Sequence, residues 1–167
     1  MRRIVFVLSL AAGLAAFAPR ATAEAVPAPT PSPSASSQAE LLKTYVWQPL
    51  RASDAQGRAV RALRGARKRG LSLRFDQRGF IQQRGACNTA GGSYRIEGDR
   101  ILPGPHGGVQ TTAHCGRYQP MEDAFFAQPL LDTRFVIDTK GRAPVLRVVA
   151  DDGARMELIG VSAAPER

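Results

Sequence analysis

The sequence predicts an α+β domain, mainly an antiparallel β-sheet or partly open barrel with one short α-helix packed on it. Short runs of apolar and β-branched residues recur roughly every 8–12 residues, the spacing of antiparallel sandwiches and barrels. Turn sequences rich in Gly and Asp separate these runs. A single helical pattern, opened by Pro120 and stopped by Pro129, interrupts them.

Taken in order, Thr44 to Leu50 offers β-branched and aromatic residues, with Trp47 and Leu50 as expected anchors. Leu71, Leu73 and Phe75 alternate with polar residues and share one face of a strand. Asp76 to Gly79 then turns the chain, and Phe80 to Gln83 completes a hairpin. Ser93 to Glu97 and Arg100 to Leu102 flank Gly98-Asp99 as a second hairpin. Arg134 to Ile137, Pro144 to Ala150 and Ala154 to Ile159 give three further strands, divided by Asp138 to Gly141 and Asp151 to Gly153. In the helix, Glu122 and Asp123 complement the N-terminal dipole, while Met121, Ala124 and Phe125 form the apolar stripe. Arg58 to Arg69 reads either as a strand running into a basic loop, the favoured reading beside strand-rich neighbours, or as a short basic amphipathic helix weakened by Gly65.

Residues 1–23 carry the pattern of a secretory signal peptide. Arg2 and Arg3 precede an apolar run from Ile4 to Phe17, and Ala21-Thr22-Ala23 fits the small-x-small cleavage site. The run would span about 21 Å as a helix, short of a hydrocarbon core of roughly 30 Å, so a transmembrane anchor is disfavoured. The first cysteine is Cys87, far from the cleavage point, which argues against lipid anchoring. The expected location is therefore periplasmic or secreted. Residues 24–40 alternate Pro27, Pro29, Pro31 and Pro33 with small residues and read as an extended linker. The folded domain is expected over 41–161, with a tail at 162–167.

Hydrophobic residues make up 44% of the chain and charged residues 22%, which places it among globular proteins rather than disordered ones. Two cysteines are too few for a disulfide-built miniprotein or a four-cysteine zinc module. No dinucleotide, Walker, zincin or Gly-x-Ser-x-Gly signature occurs, and no cofactor is expected. Without the leader's three arginines the chain holds 20 basic and 14 acidic residues. Seven of the basic residues, Arg51, Arg58, Arg61, Arg64, Arg67, Lys68 and Arg69, fall in one stretch against the single acid Asp54, so the excess charge is local. Export excludes nucleic acid as the natural target of this run. A solvated face is its plain reading, and an anionic surface is the binding alternative.

The densest motif is Gly85-Ala86-Cys87-Asn88-Thr89-Ala90-Gly91-Gly92-Ser93-Tyr94, in which Asn88 is the chain's one asparagine. Asn88 before a glycine pair suits a tight turn with positive φ. Thr111 to Cys115 and Glu122 follow. Trp47 near Leu50, then Cys87-Asn88 with Gly92 and Tyr94, then Thr111 to Cys115, then Glu122, resemble the META domain of the heat-shock protein HslJ group. The resemblance covers Tyr45 to Ile159. It departs where Ala113 and His114 stand in place of Met and Ala, and where Pro129 shortens the helix. It implies a compact strand-rich α+β domain, often exported, linked to envelope stress and without established enzymatic activity. Its likeness to secretin pilot lipoproteins implies a groove for protein or lipid.

Cys87 and Cys115 leave several readings open. An oxidising compartment favours a disulfide, worth roughly 3.6 kcal/mol for a loop of about 29 residues. The alternatives are two buried thiols, a metal site of Cys87, His106, His114 and Cys115, or a Cys115 nucleophile activated by histidine. His114 and Cys115 are adjacent, and on an extended strand they would face opposite ways, which counts against the metal. His106 reads as a solvated loop residue, Glu122 as a helix N-terminal acid rather than a general acid, and Trp47 and Tyr94 as packing residues. The leading expectation is a monomeric, non-enzymatic envelope domain that supports stress tolerance by binding a protein or lipid partner. The alternatives are an envelope redox or hydrolytic enzyme using Cys115 with His114 or Cys87, and an anionic-surface module using Arg51 to Arg69.

Overall fold

The structure is a computed structural model that describes residues 34–162. The expected signal peptide, linker residues 24–33 and tail residues 163–167 lie outside the described residues. Helix α1 (Ala35–Thr44) leads into β1 (Tyr45–Ser53), followed by β2 (Ser72–Phe75), β3 (Phe80–Arg84), β4 (Thr89–Glu97) and β5 (Arg100–Pro103). The short strand β6 (Val109–Gln110) precedes α2 (Gln119–Phe126), and β7 (Thr133–Asp138), β8 (Val145–Ala150) and β9 (Arg155–Ser162) complete the described residues.

Eight strands close into an antiparallel barrel in the order β3-β2-β1-β9-β8-β7-β5-β4, with β4 returning to β3 through five residue pairs from Phe80↔Ser93 to Arg84↔Thr89. Strand β6 lies outside that ring and pairs with the start of β4 at Ala90↔Gln110 and Gly91↔Val109. The expected sheet or partly open barrel is thus a closed one, and closure leaves few edge hydrogen-bond groups for another chain to pair with.

Alternation fills the interior. Leu71, Leu73 and Phe75 are fully buried, as are Ile101, Leu146 and Leu158, and they form one cluster with Trp47, Phe125 of α2 and Leu42 of α1. Trp47 fits because its cross-strand partner is Gly160, where an added Cβ would sit 3.0 Å from the indole. Its Nε1 donates to the Leu42 carbonyl at 2.8 Å, so the one polar atom of the ring is satisfied.

Four expectations are corrected. Leu50 is 45% exposed: a bulge between Pro49 and Arg51 shifts the register, so Pro49 and Ala52 point inward instead. Residues 35–40, expected to be extended linker, are helical, because Ser34 caps α1 by accepting from the Ser37 N–H and Leu42 anchors its far end. Arg58 to Arg69 is neither strand nor α-helix. It carries a bridge at Ser53↔Ala59 and two short 3₁₀ turns, Arg61–Leu63 and Ala66–Arg69. Asn88 does not take positive φ, and Gly91 and Gly92 lie inside β4 rather than in a turn. They are there for close approach: a Cβ on Gly91 would meet the Phe80 ring and the Ile81 carbonyl at 2.7 Å.

Helix α1 also seals the barrel wall. Strands β5 and β7 share only the pairs Arg100↔Arg134 and Ile101↔Thr133, leaving Ile137 without a β5 partner. Gln38 covers it: the Ile137 N–H donates to Gln38 Oε1 at 2.6 Å, and Gln38 Nε2 donates to the Ile137 carbonyl at 3.2 Å.

Candidate functional site

The turn from β3 into β4 brings Cys87 and Asn88 against the loop before α2. Gly85 closes that turn by donating to the Asn88 carbonyl at 2.8 Å. It has no room for a side chain, since a Cβ there would run into the Glu122 carboxylate. Pro120 starts α2 in its first turn, and the Gln119 side chain accepts from the Cys115 N–H at 2.8 Å. Gln83 Nε2 donates to the Phe125 carbonyl at 3.4 Å and ties α2 to β3. With α2 so fixed, Glu122 turns inward and is only 1% exposed.

Asn88 uses its whole hydrogen-bonding capacity. Its Nδ2 donates to the Ala113 carbonyl at 2.6 Å and to Glu122 Oε1. Its Oδ1 accepts from the Ala113 N–H at 2.7 Å and from Thr111 Oγ1 at 3.0 Å. Thr111 Oγ1 in turn accepts from the Thr89 N–H at 3.0 Å. Glu122 Oε2 accepts from the backbone N–H groups of Cys87 at 2.8 Å and Asn88 at 3.1 Å. Burial pushes the Glu122 carboxyl up, but the bonds from the Cys87 N–H, the Asn88 side chain and N–H, and the Ala86 N–H outweigh it. The group is held below the usual carboxylate range.

Cys87 and Cys115 are joined as a disulfide with Cα atoms 5.9 Å apart. Glu122 Oε1 lies 2.7 Å from Cys115 Sγ and 3.8 Å from Cys87 Sγ. A bridged sulfur has no proton to give, so this is a contact between a carboxylate and a disulfide. The two sulfurs and Glu122 offer ligand-type atoms within 4.8 Å of one another. Neither His106 nor His114, both exposed, belongs to that group, so the four residues weighed as a metal alternative do not come together. His106 lies on the loop before β6, where its backbone N–H and carbonyl both bond Ser93 Oγ.

The remaining motif residues serve the barrel itself. Gly92 lies in β4 with the Gly108 Cα 3.2 Å from where its Cβ would be. Tyr94 is buried, stacked edge-on against Phe75 at 5.1 Å, and donates to the Asp76 carbonyl at 3.0 Å. Trp47 lies in the barrel core away from the disulfide. Sequence reasoning missed the inward turn of Glu122 and the demand on Gly85. The signal for Gly85 was its place directly ahead of Ala86-Cys87-Asn88.

The basic run is divided. Arg51 forks onto Glu157 at 2.8 and 2.9 Å, Arg58 pairs with Asp54 at 2.8 Å, and Arg67 Nε donates to Gln48 Oε1 at 3.1 Å. Arg61, Arg64, Lys68 and Arg69 carry no ion pair among the described residues. Arg117 joins Arg69 at the Tyr118 ring, with guanidinium carbons 4.9 and 4.8 Å from its centroid.

No curated protein matches the chain. Its fold is similar to the NMR structure of a protein from Burkholderia xenovorans, with a TM-score of 0.57 and 20% identity over 87% of this chain and 99% of that one. The model of the META domain matches residues 40–160, the span that holds Trp47, the Cys87–Cys115 bridge, Asn88 and Glu122. The chain belongs to the META domain family.

Proposed function

We propose that this META domain is an exported, non-enzymatic envelope protein, monomeric, that supports stress tolerance by holding a protein or lipid partner. The observation that carries this reading is the Glu122 carboxylate set 2.7 Å from Cys115 Sγ. A nucleophilic or redox-active cysteine is favoured by positive surroundings that stabilise its thiolate. Glu122 supplies the opposite charge, so a reduced Cys115 would be held as the thiol. Asn88 and Glu122 are saturated by the chain's own groups, which suits a clasp ordering residues 111–126 better than a reaction centre. The disulfide accords with an oxidising compartment and with the leader-like residues 1–23.

The test begins with protein recovered from the periplasm. Its N-terminus should be Glu24, and thiols counted in denaturant should rise from none to two on adding reductant. Cross-linking in intact cells should then capture an envelope partner. A cytoplasmic chain retaining residues 1–23, or two free thiols before reduction with a bound equivalent of zinc, would overturn the reading.

A further inference from the structure

We propose that Arg64, Lys68, Arg69 and Arg117 form a receptor for a phosphate group, with Tyr118 as its floor. This rests on the reading of the domain as a binding module and names the chemistry one of its ligands would carry.

The four cations surround a surface depression of ≈ 670 Å³ that Tyr118 and Met121 also line, and among the described residues no carboxylate lines it. Two loops distant in sequence build it. On one, Leu63 and Ala66 are sunk into the core at 5% and 1% exposure, which fixes the turn that presents Arg64, Lys68 and Arg69. Gly65 at φ +81° and Gly70 at φ +76° bracket that turn in the left-handed region, where a side chain would be strained. On the other, Arg117 Nη2 donates to the Tyr118 hydroxyl at 2.8 Å, so the guanidinium is held in place.

Arg69 and Arg117 share one aromatic ring, which places their charges within about one Debye length, ~10 Å at 0.1 M salt. Like charges held that close repel, and an anion bound between them offsets that repulsion. Arg51 and Arg58 are neutralised by Glu157 and Asp54, whereas these four carry no ion pair among the described residues. Guanidinium forks match phosphate oxygens in pairs, and an ammonium adds a point charge. A phosphate offers more acceptor oxygens to four cations than a carboxylate does, and the depression exceeds one phosphate in volume. The ligand is therefore a phosphate ester, either a lipid headgroup at a bilayer surface or a soluble molecule.

The experiment measures binding of the purified mature chain, residues 24–167, to phosphatidylglycerol vesicles, phosphatidylcholine vesicles and glycerol 3-phosphate, at low and high salt. Binding to the glycerol lipid, weakened by salt and about tenfold weaker in R69E/R117E, is expected. A second variant, R64A/K68A, should weaken it in the same direction while its melting curve stays that of the parent. R142E, the same kind of charge reversal at an exposed loop arginine, should bind as the parent does. Competition by glycerol 3-phosphate identifies a soluble source, and vesicle binding without such competition identifies the lipid; both support the site. Equal loss in R142E, equal competition by poly-glutamate, or no binding to either phosphate probe would overturn it. If R69E/R117E still captures its partner in intact cells, the broader binding reading survives without this site.

Discussion

Glu122 and Asn88 are bonded to each other twice: Oε2 accepts the Asn88 backbone N–H at 3.1 Å, and Oε1 accepts its side-chain amide. Both carboxylate oxygens of Glu122 therefore face donors, which its nearest isostere could not match. Glu122→Gln would set its NH2 group against a donor whichever way it turned, either the Cys87 and Asn88 N–H groups or the Asn88 side-chain amide, and would remove the charge that holds them. The expected cost is about 2–4 kcal/mol, read from urea unfolding. The same pairing makes stability depend on acid. A depressed folded-state pKa contributes stability that is complete above the ordinary glutamate value of 4.5 and is lost as pH falls through the folded value. Stability should therefore fall on acidification below about pH 5, with a shallower slope in E122Q. Equal slopes in the two proteins would remove Glu122 from the account.

The sulfur pair should behave as a staple. After reduction under native conditions, Cys115 should be alkylated near neutral pH more slowly than the same thiols in denaturant, because Glu122 opposes thiolate formation. Rapid alkylation in the folded state would instead indicate an activated thiol.

Tyr94 predicts a transition at the alkaline end. Burial, then the charges of Asp76 and Glu40, raise its phenol to about 12. A raised folded-state pKa means that the contribution is complete below the unfolded value near 10.0 and lost as pH rises through about 12. Ultraviolet titration should show a late phenolate step that Y94F removes, and the parent should lose stability across that window.

Gln38, on α1, predicts that the folded domain begins ahead of the expected start at residue 41. Gln38→Ala leaves both backbone groups of Ile137 without their amide partner, at an expected cost of about 2–3 kcal/mol. Hydrogen exchange at the Ile137 amide should accelerate more than at β8 or β9. Unchanged exchange at that amide would mean the amide clasp is not what protects it.

What the sequence made legible was periodic. Leu71, Leu73 and Phe75 announced β2 because period-two alternation survives in any half-buried strand, and Pro120 with Pro129 bracketed α2 because proline acts locally. What it hid depended on partners elsewhere in the chain. The bulge that sends Leu50 outward is visible only in the pairing of β1 with β9. Gly91 and Gly92 looked like turn residues because a glycine required for close approach carries the same letter as one required for positive φ. Helix α1 was masked by the proline-rich composition just ahead of it, although Ser34 and the Leu41-Leu42 pair marked its two ends. Glu122 was placed on the right element, but its inward turn follows from Gly85, a contact between residues far apart in the chain.

The pairing of β1 with β9, from Tyr45↔Ser162 to Ser53↔Arg155, joins the earliest strand of the barrel to the latest. A chain delivered from its N-terminus, by the ribosome or across a membrane, has β1 in place while one of its two neighbours has yet to emerge. The wall opposite β2 stays open, with Trp47 uncovered on the Gly160 side, until residues 155–162 arrive. Folding of this domain is therefore a completion event rather than a progression, and a chaperone waiting on the nascent chain would find its clearest target in β1.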